Sequence, residues 1–208
     1  MALTDWTVKS NRATVSGVTR PLTSKGIATR DRIVVAAAEL IRRDGVEPTA
    51  LDDVRAETST SKGQLFHYFP GGRADLLYAV AEHEASQVIA DQQPFLDDLG
   101  PRGSFRAWRD AVVAKYRAQG SRCPLGTLTS QLRTSEPRIG PLVTGMLDEW
   151  HRQIADGVRR AGVPGAPLAH AAAILAAVQG GAGLMIATGR IDFLETALDA
   201  ALEHAGLD

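Results

Sequence analysis

The tightest constraint on this chain lies in residues 49–69, above all in Ser61-Lys62-Gly63-Gln64-Leu65-Phe66-His67-Tyr68-Phe69. Ser61 is an N-cap residue type, because its hydroxyl can accept a bond from an otherwise unpaired backbone N–H. Lys62, Gly63 and Gln64 form the first turn of a short helix. Leu65 and Phe69 are four apart, so one side of that helix is apolar. The other side carries Lys62, Gln64, His67 and Tyr68, all hydrogen-bond donors. A short helix anchored by two large apolar residues, with donors at its N-terminal end, suits insertion into a DNA major groove. In isolation the nine residues fit an ordinary surface helix equally well. The flanking chain separates the two readings.

Upstream, a first helix is predicted from Thr29 or Arg30 to Asp44. Ile33, Ala37, Leu40 and Ile41 follow the i, i+4, i+7, i+8 spacing of one buried face, and Gly45 stops it. Thr49 reads as the next cap, with Asp52 three residues on as a loose capping box. Asp52 and Asp53 also suit a positive helix N-terminus. This second helix, with Leu51 and Val54 inward, is predicted to end at Glu57 or Thr58, leaving residues 58–60 as a turn. Pro70-Gly71-Gly72 closes the third helix. A fourth is predicted from Arg73 to Ala90, with Leu76, Leu77, Val80 and Ala81 as its apolar stripe. Helix, short helix, tight turn, short helix and long connecting helix make a helix-turn-helix arrangement.

Charge supports an anionic partner at this end of the chain. Residues 1–73 hold eleven Lys/Arg against eight Asp/Glu, whereas residues 74–208 hold twelve against sixteen. Residues 1–26 lack a helical period and read as a flexible basic arm, with Lys9, Arg12, Arg20 and Lys25 against Asp5. Such an arm is either a solvated tail or a segment that follows the DNA backbone or enters the minor groove. The first thirty residues lack the apolar core of a secretory signal. The single cysteine, Cys123, excludes an internal disulfide and fits a reducing cytoplasm. Neither a metal site nor a cofactor is expected, since no Cys/His cluster has zinc-site spacing. The five histidines are scattered and form no Cys-His-Asp pattern, so no catalytic residue is assigned.

Thr49-Ala50-Leu51-Asp52-Asp53-Val54-Arg55, then residues 61–69, then Arg73-Ala74-Asp75-Leu76-Leu77 together resemble the signature of the TetR family of bacterial transcriptional repressors. The resemblance spans residues 29–82. It implies an all-α protein that binds DNA as a dimer. Two departures stand out. The family usually has Gly and then an apolar residue in the turn, where this chain has Ser59 and Thr60. Ser59 tolerates a left-handed conformation less well than Gly. The family also commonly has Tyr at the position of Phe66, with its hydroxyl on a phosphate. That contact is missing here, leaving more of the load to His67 or Tyr68.

Beyond Ala90 the chain reads as a regulatory part. Residues 92–103 are a loop by their Pro and Gly content. Ser104 is predicted to cap a helix reaching Ala118, with Phe105, Trp108, Val112 and Tyr116 on one face. Residues 123–128 resemble a "CPLG-T-L" pattern found in one branch of TetR-family regulatory domains. Pro137, Gly140 and Pro141 mark a break. Val143, Leu147, Trp150, Ile154 and Val158 then line a long amphipathic helix ending before Gly162. Residues 168–188 have the length of a membrane span. Their Ala and Gly content, with His170 and Gln179, argues against one. Ala173, Ala177 and Gly181 recur every four residues, as do Ala172, Ala176 and Gly180, a spacing that lets two helices approach closely. A last helix, residues 193–204, presents Leu194, Ala197, Leu198, Ala201 and Leu202.

The expectation is therefore an all-α chain in three parts: a basic arm (1–26), a helix-turn-helix DNA-binding domain (27–73) and a helical effector-binding and dimerisation domain (74–208). Its expected partners are a palindromic double-stranded DNA operator, a small and mostly apolar or aromatic effector that releases it, and a second copy of itself, without a membrane. Lys62 and Gln64 suit base edges, and Gly63 a close backbone approach. Thr49, Ser61, His67, Tyr68 and Arg73 suit phosphates. Phe105, Trp108, Tyr116, Cys123, Leu128, Met146, Trp150, His151, Gln179 and Met185 are the candidate effector pocket, each also readable as a core residue, and His151 as a solvent-facing one. Ala173, Ala177, Gly181, Leu194, Leu198 and Leu202 are the candidate dimer interface. Two other readings stand beside this one. In the first, the chain is a DNA-binding protein without a small effector, redox-responsive through Cys123 or controlled by a partner. In the second, it is an enzyme using the helical pocket.

Overall fold

The computed structural model of the chain describes residues 22–120 and 136–207. Cys123, Leu128 and most of the basic arm lie outside the described residues. Among the described residues there are eight helices and no strand: α1 (Ser24–Asp44), α2 (Leu51–Thr58), α3 (Lys62–Tyr68), α4 (Arg73–Ala90), α5 (Arg102–Gln119), α6 (Ile139–Ala161), α7 (Pro167–Thr188) and α8 (Asp192–Ala205).

The first core gathers the apolar faces of α1 to α4. Ile33, Ala37, Leu40 and Ile41 of α1 meet Val54 of α2, Leu65 and Phe69 around α3, and Leu76, Leu77, Val80 and Ala81 of α4. The start of α6, from much later in the chain, joins them: Ile139 is fully buried here, and the half-buried Leu142 and Val143 pack against the same core. The second core joins α5, α6, α7 and α8 around Phe105, Trp108, Trp150, Ile154, Ile174 and Val178. α4 runs from one core into the other region and packs on both α1 and α6.

Three helix starts differ from the sequence expectation. α1 begins at Ser24, well before Thr29, because the Thr23 hydroxyl accepts the Gly26 N–H at 3.2 Å and serves as the cap. Lys25 therefore belongs to a helix, not to the arm. α5 begins at Arg102, with Pro101 in the cap position. Ser104 lies inside the first turn, donating to the Pro101 carbonyl and accepting the Gly100 N–H. α6 begins at Ile139 and takes in Gly140 and Pro141, which the sequence suggested as a break. A proline in a first turn removes only an N–H that has no intrahelical partner there.

The two stripes of small residues in α7 have different fates. Gly181 faces α8 so closely that a Cβ there would lie 2.5 Å from the Leu194 Cα. Leu194, Leu198 and Leu202 are buried in the core of their own chain. Gly181 and these three leucines are thus corrected from interface to intrachain packing. Ala173 stays exposed and Ala177 half-buried, and Ala172, Ala176 and Gly180 are exposed beside Leu168 and Leu184. α7 is long and apolar enough to cross a membrane by length and composition. In the fold its other side packs on α6 and α8.

Gly181→Ala is expected to lower the unfolding free energy by about 1–3 kcal/mol, because backbone must shift to admit the methyl. Gly145→Ala, at an exposed position of α6 with open space around the added carbon, is expected to be neutral or stabilising by up to about 1 kcal/mol. Urea unfolding followed by helicity measures both, and equal midpoints would show that the α7–α8 approach tolerates a side chain.

Candidate nucleic-acid interface and effector cavity

α2 and α3 are short, and their ends are held by local hydrogen bonds. Thr49 does not cap α2. Its hydroxyl donates to the Gly45 carbonyl at 2.7 Å and the residue is buried, which takes it out of the exposed set expected to meet phosphate. The N-cap is Ala50, whose N–H goes to the Asp53 carboxylate at 2.9 Å. Asp53, not Asp52, therefore supplies the side-chain half of the cap. Asp52 instead pairs with Arg55.

The turn carries the feature that the sequence made suspect. Ser59 sits at φ 50° and ψ 38°, the left-handed region, and is the one non-glycine residue with positive φ among those described. The cost of that conformation is of the order of 1–2 kcal/mol for an L-residue. The position usually apolar holds Thr60, which is buried and accepts the Thr58 hydroxyl at 2.7 Å. The Thr58 hydroxyl also lies 2.7 Å from the Val54 carbonyl oxygen, and its single proton serves one of these two acceptors at a time.

At the start of α3 the capping box is complete. The Ser61 hydroxyl accepts the Gln64 N–H at 3.2 Å, and the Gln64 side-chain oxygen accepts the Ser61 N–H at 3.1 Å. Leu65 and Phe69 are buried at 0% and 1% exposure, and Tyr68 is half-buried against the same core. Lys62, Gly63, Gln64, Phe66 and His67 are exposed. A Cβ on Gly63 would meet nothing within 4 Å, so that side of the helix is open to a close approach. The Gln64 oxygen, spent on the cap, leaves its amide N–H groups as the free half of the side chain. His67 and Tyr68 pack edge to face at 5.0 Å between centroids. Phe66 turns toward the Gly72 turn. Arg73 does not face outward freely. Its guanidinium donates to the Val46 carbonyl at 2.6 Å and braces the loop between α1 and α2.

A cavity of about 550 Å³ lies between the end of α1, α4, α5 and α6. Of the expected pocket residues, Tyr116 and Trp150 line it. Phe105 and Trp108 are core residues, the Trp108 indole donating to Gln92 at 2.8 Å. Met146 packs with Ala85, Met185 is buried in α7, and Gln179 is exposed on α7. His151 is half-buried, with its Nε2 2.8 Å from the Leu168 carbonyl oxygen on α7. None of these last six lines the cavity, because they face other neighbours of their helices.

The lining that sequence reading missed is polar: Arg42, His83, Glu84, Gln87, Asp91 and Lys115, beside Val88 and Val112. Arg42 meets Glu84 at 3.1 Å and Lys115 meets Asp91 at 2.6 Å. Burial pushes the Glu84 carboxyl above the usual carboxylate range, with Arg42 opposing the shift. Glu84 does carry a sequence signal. It continues the buried Val80 row of α4 four residues on, and an acid in an apolar row is a candidate for a cavity wall. Residues 84, 87, 88 and 91 then follow the spacing of one helical face.

A capped short helix seated by two apolar residues, with donors outward and a second short helix across a tight turn, defines a helix-turn-helix DNA-binding protein. Comparisons agree. The model of bacterial regulatory proteins of the TetR family matches residues 33–80. An HTH-type transcriptional regulator of Mycobacterium tuberculosis is 30% identical over 148 residues, covering 62% of this chain and 71% of the relative. The crystal structure of a TetR transcriptional regulator from Chloroflexus aurantiacus superposes with a TM-score of 0.71 at 23% identity, covering 88% of this chain and 96% of that one. A TetR-family regulator from Cytophaga hutchinsonii superposes with a TM-score of 0.74 at 16% identity, covering 89% and 98%. The chain belongs to the TetR family of bacterial regulatory proteins. It is a DNA-binding transcriptional regulator and not an enzyme.

Ser61→Ala removes one half of the α3 capping box and is expected to cost about 1 kcal/mol of stability. Chemical denaturation of the full chain measures it, and an unchanged midpoint would mean that burial of Leu65 and Phe69 holds the helix unaided.

Proposed function

We propose that the protein is a homodimeric cytoplasmic repressor. In this reading it holds a palindromic operator through α3 and releases it when a small molecule occupies the cavity between α1, α4, α5 and α6. The observation that carries the DNA half is the outer face of α3, where Lys62, Gly63 and Gln64 are exposed at a capped N-terminus while Leu65 and Phe69 are locked in the core. Lys62 suits guanine acceptors, and the free amide N–H groups of Gln64 suit an acceptor on a base or phosphate. Ser61, His67 and Tyr68 suit phosphate, positioning the module without reading sequence. Thr49 and Arg73 act instead as braces behind this surface.

The exposed row Leu168, Ala172, Ala176 and Leu184 on α7 supports self-association. An apolar helix face with small residues at fourfold spacing admits a second copy at close range, and two-fold symmetry would present two α3 helices to successive major grooves. The cavity supports an effector with both characters. Val88, Val112 and Trp150 suit an apolar or aromatic body, and Gln87 suits a polar substituent. Its four paired charges favour a ligand without a net charge, since an ion would have to displace a partner already in place. An effector acts by binding the DNA-incompetent dimer more tightly than the competent one.

Footprinting on the DNA upstream of the chain's own reading frame, with and without candidate aromatic ligands, tests the whole reading. Lys62→Ala is expected to cost about 1–3 kcal/mol on the protected site and to reduce the salt slope by about one. Wild-type affinity and slope would remove Lys62 from the interface. Ala176→Arg is expected to give monomers in sedimentation and to lose operator binding, and a dimer that persists would place the interface elsewhere.

A further inference from the structure

A recognition helix is useful only if its direction is held, and α3 ends in the Gly71–Gly72 turn that leads directly into α4. The Gly72 N–H closes that turn on the Phe69 carbonyl at 2.9 Å, and one carboxylate holds the Gly71 end. The Asp75 carboxylate accepts the Gly71 N–H at 2.6 Å, and it lies so close that a Cβ on Gly71 would sit 2.8 Å from it. The other oxygen of Asp75 accepts from Arg138 at 3.2 Å, across 63 residues of sequence.

Arg138 is itself fixed from several sides. Its Nε and Nη2 donate to the two oxygens of Glu136 at 2.7 and 2.9 Å, a bidentate fork. Its guanidinium lies 4.6 Å from the centre of the Tyr78 ring, one turn along α4 from Asp75. The neighbouring Ile139 is fully buried in the core of the DNA-binding part. An isolated exposed ion pair contributes little, but this guanidinium spans a buried acid, an aromatic face and the carboxylate that carries the turn. Glu136 first and Asp75 after it push the Arg138 pKa above its ordinary value, so the guanidinium keeps its charge.

We propose that Arg138 is a positioning residue for operator binding: through Asp75 it holds the Gly71–Gly72 turn and with it the direction of α3. The proposal rests on the reading of α3 as the helix that meets DNA. Without Arg138, Asp75 loses its second partner and is free to leave the Gly71 N–H, and the donors of α3 lose their fixed angle. The helix that begins at Ile139 also carries Trp150 on the cavity wall, about 16 Å further along its axis. The grip on the turn therefore sits on an element that a cavity occupant would touch.

The test uses the full-length chain and a duplex that the wild-type protein enriches from a random-sequence library, with affinity read by fluorescence anisotropy. Arg138→Met is expected to weaken binding by about tenfold at an unchanged melting temperature, and Arg138→Lys to recover to within about threefold, since an ammonium reaches Asp75 without the fork. Asp75→Asn is expected to weaken binding similarly, and the double variant to be no worse than either single one. The Gly71 amide resonance should move in Arg138→Met. Wild-type affinity in Arg138→Met, with Lys62→Ala still impaired, would overturn the proposal. So would equal losses in the Met and Lys variants accompanied by a lower melting temperature, which would mark Arg138 as merely structural. Wild-type affinity in Lys62→Ala would instead overturn the reading of α3, and the proposal with it.

Discussion

The burial of Leu65 and Phe69 is the interaction on which the outer surface of α3 depends. A seven-residue helix cannot sustain itself in water, because its few backbone bonds do not repay the ordering of the first turn. α3 persists because these two side chains, four apart, are sealed among α1, α2 and α4. Their burial fixes the rotation of the helix about its axis. Rotation in turn decides that Lys62, Gln64 and His67 point outward as a group. The reciprocal bonds of Ser61 and Gln64 then set where the helix starts, and Asp75 holds the turn where it stops. The left-handed Ser59 is tolerated in this frame, since the turn must be tight for α2 and α3 to share the same core.

The two halves of the chain are tied by residues that belong to neither alone. α4 supplies Leu76 and Val80 to the first core and Glu84, Gln87 and Asp91 to the cavity wall. Arg42, at the end of α1, reaches that same wall and meets Glu84. Ile139 and Arg138 reach back from α6 to the first core and to Asp75. An occupant of the cavity would therefore press on elements already connected to the turn after α3, and packed elements of this kind are one route by which two places in a protein can be coupled.

Much of the architecture was legible in the sequence. Apolar residues at helical spacing located every described helix of the second half and all four of the first, and the bounds of α4 came out as the pattern indicated. The unusual turn was legible too, since a serine stood where a glycine was expected and the backbone there is left-handed. Helix starts were less legible. A cap depends on where a hydroxyl turns, and Thr49 turns back to Gly45 while Thr23, which had no periodic pattern after it, caps α1. The cavity was legible only in part. Periodicity marks a residue as inward but not as facing a gap, so Phe105 and Trp108 were indistinguishable from Tyr116 and Trp150 until the helices were packed.

The stripes of α7 show the same division most clearly. Small residues every four positions mean close approach by another helix, because only a missing or minimal side chain lets two backbones come together. The partner is not written in that spacing. Packing assigned Gly181 to Leu194 of the same chain and left Ala176 and Leu184 facing outward. The sequence by itself determined the helical class, the order of the elements and the donor-bearing face of α3, because these depend on local propensity and short-range periodicity. The tertiary structure alone decided which apolar face met which, where a cavity remained, and that Arg138 would meet Asp75. Those outcomes depend on residues far apart in the chain being brought within a few ångströms.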